Sequence, residues 1–151
     1  MDDKQKMKVI KELNGFLKGR YMGIEQYERL LERANDPETK DMLRQFKEHA
    51  ELGAKKIARR IFELGGEPVD GPGFMGELQL WMQQLRDAPE DTRDILHDAL
   101  VGENKYGIHF SHKMVGGDLD QESKNVVDTV LEEDQKRVDE LRRTLQAKAL
   151  V

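Results

Sequence analysis

Apolar residues recur at three- and four-residue steps along most of the chain with charges filling the gaps, a pattern that marks amphipathic helices rather than strands. Leu13, Leu17, Tyr21, Ile24, Tyr27 (or Glu28) and Leu31 trace a first helix, A, over about residues 4–34. Asn35-Asp36-Pro37 then supplies a stop, an N-cap and a proline at the first helical position, so helix B (37–64) starts almost at once and runs antiparallel. Its buried line is Met42, Leu43, Phe46, Ala50, Gly53, Ile57, Ile61 and Leu64, and Gly65-Gly66 ends it. A short amphipathic piece, 75–87, carries Leu78, Trp81, Met82 and Leu85 inside a Pro- and Gly-rich connection. Helix C (90–115) runs on Ile95, Leu96, Ala99, Leu100, Tyr106 and Phe110, and helix D (120–147) on Val126, Val127, Val130, Leu131, Val138, Leu141 and Leu145. Asp118 with Gln121 reads as the capping box of D.

Connection lengths set the topology. A to B and C to D are tight turns, whereas about 25 residues join B to C, enough to travel back along helices about 42 Å long at 1.5 Å per residue. The expected fold is all-α, an up-down-down-up four-helix bundle in a single domain spanning 1–151, with a lengthwise B–C crossover. The two hairpins also resemble each other: Leu17-Lys-Gly-Arg20 in the first recurs as Leu100-Val-Gly-Glu103 in the second.

Composition narrows the function classes. The absence of cysteine excludes disulfides, thiolate metal sites and cysteine nucleophiles. A formal charge of −5 with both signs interleaved offers no basic face to nucleic acid. Uncharged stretches fall far short of the roughly 20 apolar residues a membrane span needs, and Met1-Asp2-Asp3-Lys4 does not open a signal peptide; the expectation is a soluble cytoplasmic protein. No phosphate loop, His-Glu-x-x-His or nucleophile elbow is present, so any chemistry falls to carboxylates, four histidines and tyrosines.

The anomaly is a set of charges on the apolar stripes. Arg20 lies seven after Leu13 and seven before Tyr27, and Glu103 seven after Leu96 and seven before Phe110. Asp134 lies seven after Val127, Arg137 precedes Leu141 by four, and His49 lies seven after Met42. All five are expected inside the bundle at mid-height, where buried charge demands a partner or a metal.

At these residues the chain resembles the ferritin-like superfamily: two helix hairpins, a long B–C crossover, an inward polar residue on A and C, and an i, i+3 pair on B and D. The likeness runs over nearly the whole chain to a bacterial branch described as a domain of unknown function, carried by Tyr21-Met-Gly-Ile-Glu-Gln-Tyr27, Leu64-Gly-Gly-Glu-Pro68 and Gly102-Glu-Asn-Lys-Tyr-Gly-Ile108. In the iron-oxidising members each hairpin supplies a Glu from its first helix and a Glu-x-x-His pair from its second, which together hold two metals. Here Glu103, His49 and Asp134 keep part of that pattern. Arg20, Phe46 and Arg137 stand where the resemblance calls for Glu, Glu and His.

Two readings follow. In the first, Arg20, Arg137, Glu103 and Asp134 form a charge-balanced layer in place of the metals, with His49 and the tyrosines bonding at its edge, no cofactor is bound, and the protein is a binding or structural bundle rather than an enzyme. In the second, a shifted register turns Glu28 inward, and Glu28, His49, Glu103 and Asp134 hold iron or manganese as in a metal-dependent oxidase or iron-handling protein.

Gly15, Gly19 and Gly23 repeat every fourth residue on helix A and read as the close approach of another helix, within the bundle or across a dimer; Trp81 on the crossover piece packs on its own bundle or, if left open, joins them as the candidate interface of a homodimer. His97, His109 and His112, and the runs Lys55-Lys56, Arg59-Arg60 and Glu132-Glu133, read as surface.

Overall fold

Each helix begins at an aspartate. In the computed structural model, which describes residues 1–71, 91–103 and 118–149, α1 (Asp3–Arg33) starts where the Asp2 carboxylate accepts from the Gln5 amide at 2.8 Å. Asp36 caps α2 (Pro37–Glu63) by accepting from the Thr39 amide and hydroxyl at 3.0 and 2.7 Å. These bonds satisfy amides that the first helical turn leaves unpaired. Asp91 does the same for α3, described over Thr92–Gly102, and Glu103 keeps helical dihedrals beyond it (φ −61°, ψ −43°). α4 (Gln121–Ala149) is capped by Asp120, not by Asp118: the Asp120 carboxylate takes the Ser123 amide at 3.3 Å, while Asp118 is exposed.

α2 closes through Gly65 at φ +84°, with Gly66 N–H donating to Ile61 O and Gly65 N–H to Phe62 O, both at 2.9 Å. This is the paired closure that only a left-handed residue after the cap permits. No strand occurs among the described residues.

Cross-helix contacts fix the directions. Glu28 meets Lys47 while Asn14 bonds the backbone at Glu67 and Val69, so α1 and α2 are antiparallel. Lys56 meets Glu133 and Arg60 meets Asp120, so α2 and α4 are antiparallel. Arg93 reaches Lys148 O at 2.8 Å while Glu103 pairs with Arg137, so α3 and α4 are antiparallel as well. Hence α2 and α3 point the same way, the up-down-down-up order that the connection lengths predicted. The crossover piece with Trp81, and helix C from Tyr106 through His109, Phe110 and His112, lie outside the described residues.

The core is one cluster drawn from all four helices, including Leu13, Leu17, Leu30, Leu43, Ile57, Leu96 and Leu141. Tyr21 and Leu31 sit at its margin, because Phe16 and Leu30 occupy the inward line beside them. Met42, Leu64, Leu100, Val126, Leu131 and Leu145 are likewise marginal.

Candidate functional site: a buried arginine–carboxylate layer

A charge placed on an apolar stripe has nowhere to go but inward, and at mid-bundle four do so. Arg20 (α1), Glu103 (α3), Asp134 and Arg137 (both α4) are each 5% exposed or less. Arg20 grips Asp134 in a two-pronged pair, Nη1 to Oδ2 and Nη2 to Oδ1, the latter at 2.7 Å. The fixed fork of the guanidinium suits this geometry. Its Cζ also lies 5.5 Å from the Phe16 ring centre, a face that attracts cations. Arg137 donates from Nε to Glu103 Oε1 at 2.9 Å and from Nη2 to Asp134 Oδ1, one turn back on its own helix. The Tyr27 hydroxyl donates to Glu103 Oε1, and its ring meets Phe46 edge-on with centres 6.2 Å apart.

Two guanidinium groups and two carboxylates balance to zero, so the layer carries no net charge into the core. Burial works against the Arg137 charge, but the Glu103 and Asp134 carboxylates outweigh it and raise its pKa further. Burial, and next the Glu103 carboxylate, push the Tyr27 phenol well above its usual range. Tyr27 is therefore a fixed donor, and Glu103 its acceptor.

His49, expected in this layer, is exposed, on the rim of a cleft between α2 and α4 with Leu52, Lys56, Glu133 and Lys136. The inward inference leaned on Met42, seven residues earlier, which is only half-buried itself. A straight helix drifts about 20° per seven residues, and from a marginal anchor that drift carries the next position out. Glu28 is half-buried with its side chain 45% exposed and 3.1 Å from Lys47; Tyr27, one residue before it, holds the inward place. The set Glu28, His49, Glu103 and Asp134 is thus not brought together. Of its members only Glu103 and Asp134 are buried, and Arg137 bonds to both. Among the described residues no three His, Asp or Glu side chains converge. The two-metal centre implied by the resemblance does not fit these residues, because two fixed cations already occupy the space between the two acids.

Gln26 and Arg60 are among the buried polar residues that were not anticipated. Gln26 is 1% exposed and donates from Nε2 to the Asp98 carbonyl at 2.7 Å, joining α1 to α3. It lies three after Gly23 and seven after Gly19, so the glycine row pointed to its face. Arg60, read as solvated, is 7% exposed and bonds Ser123 Oγ at 2.9 Å and Asp120 at 2.8 Å, tying α2 to the start of α4. Three after Ile57 and seven after Gly53, it carried the same signal as Arg20. Among the glycines, Gly19 is buried, Gly15 and Gly23 are half-buried, and a Cβ at Gly23 would meet nothing within 4 Å. Close helix approach is found instead at Gly102, where a Cβ would fall 1.9 Å from Gln26 Oε1.

Comparison with known proteins places this geometry. A mutant form of Dps1 from Mycobacterium smegmatis is similar at TM-score 0.80 and 19% identity, over 96% of this chain and 99% of that one. The bacterioferritin-related protein from Bacteroides fragilis, a dodecameric thioferritin, is similar at TM-score 0.69 and 19% identity, over 95% of this chain and 88% of that one. Both are ferritin-like, and so is the fold of this bundle. No curated protein sequence matches the chain. The profile of a family described as Domain of unknown function (DUF2383) matches residues 8–114, more than half of the chain, and the protein belongs to that family.

Proposed function

We propose that this protein is a non-catalytic, self-associating ferritin-like bundle in which a buried arginine–carboxylate layer stands in place of a two-metal centre. One observation carries the reading: Arg20 and Arg137 lie among Glu103 and Asp134, fully paired in charge, where metal binding would need those carboxylates free. Self-association is supported by the likeness to a dodecameric protein, and the dimer is the smallest assembly that would satisfy it. A second reading, an iron- or manganese-handling bundle, is favoured by that same likeness to a thioferritin.

Elemental analysis of protein purified without chelator, followed by anaerobic ferrous titration and aerobic absorbance readout, decides between them. The layer reading expects no stoichiometric iron or manganese and no oxo-bridged ferric band. One equivalent of either metal, or such a band lost on Glu103→Ala, would overturn it. Light scattering after size exclusion tests the assembly, and a monomer at every concentration would remove the self-association part.

A further inference from the structure

The buried pairs make an open chain: Arg20 holds Asp134, Asp134 holds Arg137, and Arg137 holds Glu103. At each end one buried polar atom lacks a partner. Nε of Arg20 and Oε2 of Glu103 are buried with no hydrogen-bond partner among the described residues. A buried donor and a buried acceptor left unmade are both unfavourable, and native interiors rarely keep either.

Both residues line one small cavity of about 10 Å³, together with Gln26 and Tyr27, whose polar groups are already bonded to the Asp98 carbonyl and to Glu103, and with Gly19, Gly23, Ala50 and Gly102. Three helices thus contribute residues with no side chain, or only a methyl group, around the two unpaired charged ends. Space of about 10 Å³ is what a single water requires, and the walls supply polar partners.

We propose that this cavity is a binding site for one water molecule, which accepts from Arg20 Nε–H and donates to Glu103 Oε2, closing the ion-pair chain into a ring. Chemistry selects the occupant. A halide could accept from Arg20 but would face the Glu103 carboxylate with no proton to give. An ammonium or alkali cation could satisfy Glu103 but offers Arg20 no lone pair. Only a neutral molecule that both donates and accepts meets both ends, and at this size that molecule is water.

The site also accounts for part of the glycine row on α1. Glycine inside a helix is unfavourable relative to alanine, so its repetition wants a compensating gain. Gly19 and Gly23, one turn apart, line the cavity without a side chain to fill it. Gly102 serves differently, admitting the Gln26 side chain that closes the α3 side. The inference rests on the metal-free layer of the proposed function.

Crystals of the full chain diffracting to about 1.5 Å, with parallel soaks in sodium bromide and rubidium chloride, test it. The expected result is one oxygen-sized peak about 2.7–3.2 Å from both Arg20 Nε and Glu103 Oε2, with no anomalous signal there in either soak. A dry cavity, or a bromide or rubidium peak within it, would overturn the water site. A metal peak between Glu103 and Asp134 would instead overturn the layer, so the two failures are distinguishable.

Discussion

Arg137→Leu is the sharpest perturbation of the layer. Arg137 is 4% exposed and is the only described residue bonded to both acids. Without it Glu103 retains the Tyr27 hydroxyl and Asp134 retains Arg20, so one positive charge faces two negative ones inside the core. Removing one partner of a buried pair costs about 3–5 kcal/mol, because the charge left behind is desolvated and uncompensated. A domain's whole stability is of order 5–15 kcal/mol, so much of it should go. At about 2–4 °C per kcal/mol for a chain of this size, the melting temperature should fall by about 6–20 °C. Urea unfolding at pH 7, followed by circular dichroism at 222 nm, measures the loss directly. A loss under about 1 kcal/mol is what exposed pairs give, and would refute the claim that these charges are buried and mutually dependent. The companion is Arg20→Met, Tyr27→Phe, Glu103→Leu, Asp134→Leu and Arg137→Met made together. Exchanging a whole buried ionic set for apolar residues ranges from neutral to stabilising by about 1–4 kcal/mol, so this variant should keep its urea midpoint or raise it.

Gly102→Ala should destabilise by about 1–3 kcal/mol in the same assay, because the new methyl group overpacks against Gln26, whose carboxamide is tied to Asp98 and cannot swing away freely; a gain of the ordinary glycine-to-alanine size would refute the contact. With its folded pKa raised, Tyr27 binds a proton that the unfolded chain releases near pH 10, so stability should fall as pH rises above about 10. Alkaline titration at 295 nm should show one tyrosine ionising only with unfolding, and Tyr27→Phe should remove that delayed step. Burial opposes the Asp120 charge, but the Ser123 hydrogen bonds and Arg60 outweigh it and lower its pKa. Its stabilising effect is therefore present above the unfolded value near 3.9 and lost as pH falls through the lowered one, so the midpoint gap between the native chain and Asp120→Asn should close below about pH 4.

What was legible in the sequence depended on how firmly each helix stripe was anchored. Arg20, Glu103, Asp134 and Arg137 could be read inward because each is spaced from apolar residues that are themselves buried, such as Leu13, Leu96, Val127 and Leu141. His49 could not, since its anchor Met42 is marginal. Tyr27 and Glu28 are adjacent and about 100° apart around the helix, so periodicity left both open; packing against Phe46 chose Tyr27. Which arginine holds which acid depends on the axial stagger of α1, α3 and α4, a tertiary property with no local signature. Asp118 and Asp120 both stand before α4, and the choice of cap turned on which of them also meets Arg60.

The placement of the pairs suggests what the layer contributes if not net stability. Arg20–Asp134 ties α1 to α4, Glu103–Arg137 ties α3 to α4, and Tyr27–Glu103 ties α1 to α3, whereas α2 enters the same level only with apolar groups such as Phe46 and Ala50. Apolar contacts tolerate sliding, because one leucine packs against the next nearly as well as against the last. Directional charge pairs do not: a one-turn slip of α4 by 5.4 Å would part Arg20 from Asp134 and Arg137 from Glu103 at once, leaving only the Arg137–Asp134 pair inside α4. The α1–α2 hairpin is already set by its three-residue connection and the Asp36 cap; α1 is consecutive with neither α3 nor α4, and the layer ties it to both. The fivefold apolar variant separates the two roles. It should remain as stable as the native chain yet lose its single packing arrangement, seen as doubled or broadened amide peaks for α4 in a ¹⁵N-correlation spectrum. A spectrum as sharp and single as the native one would show that the hydrophobic core alone sets the register.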